Sequence, residues 1–156
     1  MIYMDAGCTI NPDGMERLND YVKLLNNQSE FDIISSQMCM LPEIKYSKRE
    51  LMTYLDVNTE DMRSGQCMAT VIIMREGEHS LSIVNKWYKL GSIYDLINDR
   101  HSSNEDKLFL DHRHDQSIFS LLVKQFGSIK IPDETCFEPH WIEKGKNYPF
   151  WATRIR

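Results

Sequence analysis

The chain is 156 residues long with a net charge of −5 and 42% hydrophobic residues, which is one soluble domain's worth of sequence with enough apolar material for a sizeable core. Its scattered basic residues exclude the positive stripe of a nucleic-acid groove, and no apolar run reaches the ~18 residues of a membrane span. Four widely spaced cysteines, Cys8, Cys39, Cys67 and Cys136, form no CxxC pair and no basic-then-apolar leader opens the chain, so a cytoplasmic, reducing setting is expected.

The opening "MIYMDAGCTINPDG" reads as a short buried strand that delivers Asp5 into a glycine-bearing loop. A helix follows, with Asn11 as cap, Pro12 in the first turn, acidic Asp13 and Glu16 at the dipole's positive end, and Met15, Leu18, Val22 and Leu25 as its apolar face. "FDIISSQMCML" is a strand stopped by Pro42. "SKRELMTYL" carries a capping box, Ser47 with Glu50, ahead of Leu51, Met52 and Leu55. "GQCMATVIIMR" is apolar and β-branched enough for a central strand. Leu81, Val84, Trp87 and Tyr88 then recur at helical spacing up to Gly91. A last helix is expected from about Asp115, with Ile118, Phe119, Leu122 and Phe126 inward and Gly127 as its stop, before a short strand "SIKIP" and an aromatic tail. This alternation predicts an α/β layered fold with a mostly parallel or mixed sheet and flanking helices in one domain over 1–156. In such sheets ligand-binding residues collect beyond the carboxyl ends of the strands.

Three constellations carry candidate chemistry. A strand ending in one aspartate before Ala6 and Gly7 suits a divalent cation and a phosphate-bearing ligand, or else a plain turn in which Asp5 meets backbone. "DHRHDQS" places His112 and His114 two apart, so that both could face one metal; Asp115 or His114 could equally cap the helix that follows. A metal-dependent hydrolase on His112, His114 and Asp115 would need a further ligand; His140 is the only later histidine, and there is no HExxH. The tail sets His140, Lys144, Lys146, Arg154 and Arg156 among aromatics such as Trp141. Rings that can stack on sugar faces and cations that can pair with a diphosphate sit side by side there.

Taken together, "IYMDAGCTIN", "SGQCMATVIIMR" and "RHDQSIFSLL" resemble three successive segments of GT-A-type glycosyltransferases, over Met1 to about Ile131. They are the strand bearing the DxD motif, the acceptor-side strand after it, and the loop-to-helix "DQ" segment. The resemblance implies a metal-assisted transfer from a nucleotide-sugar donor to a saccharide or glycoconjugate acceptor. It implies Mn²⁺ or Mg²⁺ bridged by Asp5, with His140 at the place of a later metal-binding histidine. Asp115 and Gln116 would be the catalytic pair, Gln66, Arg113, His114 and Trp141 would contact substrate, and Lys144 and Lys146 the donor's diphosphate. Gly7 occupies the place of the second DxD aspartate, so the ion would lean on diphosphate and water.

Such enzymes ordinarily place a nucleoside-binding βαβ half before the DxD strand. The expectation is therefore a GT-A-like fold incomplete at the N-terminus, with an exposed edge at Met1–Met4 for self-association or a partner. The alternative is a non-catalytic binding or assembly module, or one piece of a split glycosyltransferase.

Overall fold

Apolar strand runs without polar alternation need a cover on each face of the sheet, and the computed structural model, which describes residues 1–154, provides two. The chain opens with strands β1 (Ile2–Met4) and β2 (Thr9–Ile10), a 3-10 turn and helix α1 (Met15–Asn27). The long strand β3 (Ile33–Pro42) leads into three short helices, α2 (Glu43–Tyr46), α3 (Arg49–Tyr54) and α4 (Thr59–Arg63). Strands β4 (Gly65–Cys67) and β5 (Val71–Met74) precede α5 (Glu78–Gly91) and α6 (Tyr94–Ile97). Helix α7 (His114–Phe126), strand β6 (Ile129–Pro132), the turn-length α8 (Trp141–Lys144) and β7 (Phe150–Trp151) complete it. Arg156, counted above among the tail cations, lies outside the described residues.

β3 is the axis. One edge pairs antiparallel with β5 at Ile33 and Ile34 and with β4 at Gln37, Met38 and Pro42; the other pairs parallel with β6 from Ile34 to Gln37. β1 closes the sheet antiparallel to β5. The sheet is mixed and its pairings are mainly antiparallel, within the broad α/β class expected. β1, β3 and β6 nevertheless run the same way, so their carboxyl ends share one rim.

The two faces divide strictly by strand period. Ile33, Ile72 and Met74 enter a core with Ile83, Leu90, Ile118, Phe119 and Leu122 from α5 and α7. Their neighbours Ile34, Val71 and Ile73 enter a second core with Tyr21 and Leu25 of α1 and Phe150 of β7. The single strand expected over 65–75 is two strands broken at Met68–Thr70, each wholly buried. Gly127 ends α7 with φ of 87°, where a side chain would also strike the Phe31 ring.

The expected helix faces hold in part: Leu18 and Leu25 of α1 and Val84 and Trp87 of α5 pack against the cores. Met15, Val22, Leu81 and Tyr88 are exposed, and Tyr21, Ile83 and Leu90 hold the inward places. Phe126 ends α7 at 38% exposure rather than inside. The capping box does not form: Ser47 turns back to donate to Glu43 Oε2 at 2.5 Å, and Lys48, not Ser47, is the residue preceding α3.

Glu43 is the hub of a buried polar knot. Its carboxylate is fully buried, accepts from Ser47, Ser120 and Gln66, and pairs with Lys124 Nζ at 2.7 Å, both side chains being at most 1% exposed. Two charges can sit in a low-dielectric interior only when they neutralise each other and fill their remaining hydrogen-bond sites. Glu43→Gln is expected to destabilise the fold by ~3–5 kcal/mol by stranding the lysine. The double variant Glu43→Gln, Lys124→Met should recover more than half of the lost stability; urea unfolding of both variants checks this, and an unchanged single-variant midpoint would refute it.

Candidate active site

The carboxyl rim carries the groups that the sequence scatters over 150 residues. Asp5 follows β1 directly; its backbone N–H donates to the Thr70 carbonyl at 2.9 Å, and its exposed carboxylate accepts the Tyr3 hydroxyl at 2.9 Å. Tyr3 and Asp5 are two apart, so they share one side of the chain as a strand requires. The Tyr3 phenol is held above its ordinary pKa, first by its hydrogen bond to Asp5, then by burial and by the charges of Asp5 and Asp115. Of the two carboxylates, Asp5 alone is bonded to the tyrosine; Asp115 acts on it through its charge. The thiol of Cys8 is pushed up by burial and by Asp5 and drawn down by Arg154.

Arg154, bonded at Gly7 to the loop after β1, lines a cleft of about 530 Å³, within the usual range for small-molecule sites. Met38, Met40 and Met68 give it an adaptable apolar wall, and Arg113 and Arg154 supply its cations. Arg113 is fixed from several sides. Its N–H donates to the Tyr46 carbonyl at 3.1 Å and to Ser117 Oγ at 3.2 Å, and its guanidinium lies 4.9 Å from the Tyr46 ring centre. Arg154 donates its N–H to the Gly7 carbonyl at 2.8 Å and so ties the tail to the Asp5 loop.

Other sequence-named residues stand elsewhere. Gln66 is fully buried among Glu43, Tyr46, Ser47 and Ser117 and accepts from Gln116 Nε2 at 3.0 Å; both glutamines belong to the scaffold beneath the rim. His114 has φ of 48° and pairs with Asp99 at 2.6 Å. His140 precedes α8 with its Nδ1 3.4 Å from Glu143 Oε2. Trp141 joins an aromatic cluster with Phe137 and Trp151, while Lys144 and Lys146 are exposed and do not line the cleft. Asp115 is exposed in the first turn of α7, and its carbonyl accepts from Trp87 Nε1 at 2.9 Å.

His112 corrects the two-histidine metal reading. Its Nδ1 accepts from the Lys48 N–H at 3.3 Å and its Nε2 is 2.9 Å from the Leu96 carbonyl, so the neutral ring has no nitrogen free for a metal. Among the described residues no three His, Cys, Asp or Glu side chains form a ready-made ligand set. A magnesium-like ion is commonly held by one or two carboxylates together with substrate phosphates; the exposed Asp5 offers one such carboxylate outside the lining of the cleft, whose two arginines share that lining with Asp133 and Glu138.

Sequence reasoning missed Tyr3 and the methionine wall. For Tyr3 the two-residue spacing to Asp5 was an available signal; for Met38, Met40 and Met68 none separates a cleft wall from core. No protein-family model matches the chain, and neither does any curated protein or solved structure.

Burial depresses the His112 pKa to about 4. An unfolded histidine takes up a proton near pH ~6.5, whereas the folded ring resists until about 4, so stability is full above that window and falls on acidification through it. The expected loss between the two values is on the order of 3 kcal/mol. Imidazole NMR titration checks it, and a His112 midpoint near the ordinary value would contradict the geometry.

Proposed function

We propose that this chain is the metal-and-acceptor side of a GT-A-like glycosyltransferase, moving a sugar from a nucleotide-sugar donor to a saccharide or glycoconjugate acceptor in the cytoplasm. The observation that supports it best is the exposed Asp5 carboxylate at the end of β1, on a loop tied through the Gly7 carbonyl to Arg154 of a cleft that also bears Arg113. In this reading Asp5 would hold Mn²⁺ or Mg²⁺ jointly with the donor's diphosphate, and the ion would supply charge neutralisation for the leaving group. Arg113 and Arg154 pair with the remaining phosphate oxygens.

Asp115 takes the proton of the acceptor hydroxyl. The hydroxyl oxygen bonds to the anomeric carbon, and the sugar–phosphate bond breaks with its electron pair leaving on the nucleoside diphosphate. Gln116, bonded to Gln66 below, is a positioning residue for Asp115. His114, held by Asp99, borders the same helix start.

The rival reading, a binding or assembly module, takes support from the edge strand β1, where Met1, Ile2 and Tyr3 are exposed beside a single neighbour, β5. That edge is suited to a second copy or a partner strand.

A thermal-shift titration against nucleotide sugars, with and without Mn²⁺, separates the readings. A donor at ~100 times its dissociation constant should add about 2.7 kcal/mol, and the enzyme reading expects that gain to need both metal and one nucleotide. Asp5→Asn and Asp115→Asn should each lower transfer by ~10²–10⁴-fold with little change in unfolding temperature. Transfer that survives both substitutions would exclude the assignment.

A further inference from the structure

Cysteine is among the most buried residue types, and methionine ordinarily serves as core filler. Among the described residues Cys39 and Cys136 are the exposed cysteines, and both line the cleft that holds Arg113 and Arg154. Met38, Met40 and Met68 line it too, with Met40 88% exposed. The fold brings these sulfur-bearing side chains to one cleft from three segments. β3 and β6 run parallel as far as Gln37 opposite Pro132, so Cys39 and Cys136 follow from the same end of the sheet on adjacent strands. The pairing of β3 with β4 slips between Met38 and Pro42; strict alternation ends there, and Met38, Cys39 and Met40 all border the cleft. Beyond β4, Met68 is tied to the segment bearing Cys136, since the Thr135 hydroxyl donates to its Sδ at 3.4 Å.

We propose that this sulfur-lined cleft binds a soft monovalent metal ion, Cu(I), through the Cys39 and Cys136 thiolates, with a methionine thioether from β3 completing the shell. What these side chains share is sulfur and not apolarity alone. Leucine or isoleucine would make an apolar wall without the oxidation liability of exposed thiols and thioethers. Zinc sites draw on Cys, His and carboxylate and close on four ligands, and among the described residues no three such side chains gather. Cu(I) accepts a lower coordination number and is selected by thiolate and thioether together. Binding releases one proton from each thiol to water, and the ion stays Cu(I). The bis-thiolate centre carries a net negative charge, which Arg113 and Arg154 in the same lining balance. Oxygen donors compete poorly: carboxylates suit harder ions, and Asp133 Oδ1 already accepts from the Thr135 N–H at 2.9 Å and hydroxyl at 2.7 Å. This site goes beyond the glycosyl-transfer reading and does not rest on it.

The test titrates the full, reduced chain without oxygen against Cu(I) held by a coloured chelator and follows transfer of the ion to the protein. Wild type is expected to take up one equivalent, with an X-ray absorption shell of sulfur alone. Cys39→Ser and Cys136→Ser should each hold the ion at least ~100-fold more weakly, and the double variant Met38→Leu, Met40→Leu at least ~10-fold more weakly, all at unchanged copper-free unfolding temperature. Cys8→Ser, whose thiol is outside the cleft lining, should match wild type. Loss with one cleft thiol but not the other would mean adventitious capture by a single exposed cysteine and would overturn the site. So would wild type taking no copper, a shell containing nitrogen or oxygen, unchanged affinity in the methionine variant, or equal weakening by Cys8→Ser. The donor titration is run without copper. A chain that binds Cu(I) on both thiols but no nucleotide sugar therefore keeps the metal site and loses the transferase, and the reverse result removes the metal site alone.

Discussion

The fold and its candidate site both depend on the buried pairing of Glu43 with Lys124. Glu43 begins α2 and Lys124 lies in the last turn of α7, so one charge pair fixes where the excursion after β3 meets the most buried helix. Around it, Ser120 donates to Glu43 while accepting from the Cys67 N–H, and Ser117 donates to the Tyr46 carbonyl while accepting from the Arg113 N–H. Every link joins α7 to α2, β4 or the segment that leads into it. A network of this kind is worth more intact than its pairs summed, and a half-satisfied version would be worse than an apolar core. Its direction is functional as well. The same bonds set the start of α7, where Arg113 and Asp115 stand, so the orientation of the rim is decided by side chains that never reach it.

A second polar cluster pins the other border of that helix start. Lys48 is 1% exposed, yet its ammonium reaches the Asp95 carbonyl and Asn98 Oδ1, each at 2.9 Å, and Glu50 at 3.0 Å. The neutral His112 ring bridges Lys48 and Leu96. The histidine-rich stretch at 111–115 therefore divides its labour. His112 is structural, His114 pairs with Asp99, Arg113 lines the cleft, and Asp115 stands exposed in the first turn of α7 with its carbonyl bonded to Trp87.

What the sequence made legible follows from the range of the forces involved. Strands, helices and the placement of Asp5 after a strand and of Asp115 at a helix start could be read because periodicity and stop residues act over a few positions. The faces of α1 and α5 were half legible, with Met15, Val22, Leu81 and Tyr88 turned outward, because Tyr21 beside Val22, and Ile83 beside Val84, offer two apolar stripes that differ by about 100° of helix rotation. Only the sheet chooses between them. Ser47 illustrates the same limit: Glu50 three residues on and Glu43 four residues back are both within reach, and burial of Glu43 decides the partner. Lys48 and Glu43 sit in a run, "PEIKYSKRE", that has the composition of a solvated surface. Nothing short of the tertiary fold marks these two as interior. Gln66 did leave a trace, as a polar residue in an apolar strand, but that trace is as consistent with a ligand contact as with the wiring observed.

The tail explains why the rim is a property of the whole chain. β7 pairs with β2, the Asn11 N–H donates to the Pro149 carbonyl at 2.8 Å, and Asn11 Nδ2 donates to the carbonyls of Lys146 and Tyr148. At Gly14 the tail backbone comes so close that a Cβ would lie 2.3 Å from Pro149 N, so this position excludes every larger residue. Arg17 adds a two-pronged bond to Glu134, which also accepts the Tyr21 hydroxyl at 2.5 Å. These contacts strap residues 134–154 over α1 and end at the Arg154 bond to Gly7. Phe150 of this strap is buried in the second core with Tyr21, Leu25, Ile34 and Ile131, so the tail is part of that core and not an addition to it. Closing so long a loop costs chain entropy that this burial and the bonds to Asn11 and Glu134 offset together, and the same closure sets Arg154 against the Asp5 loop.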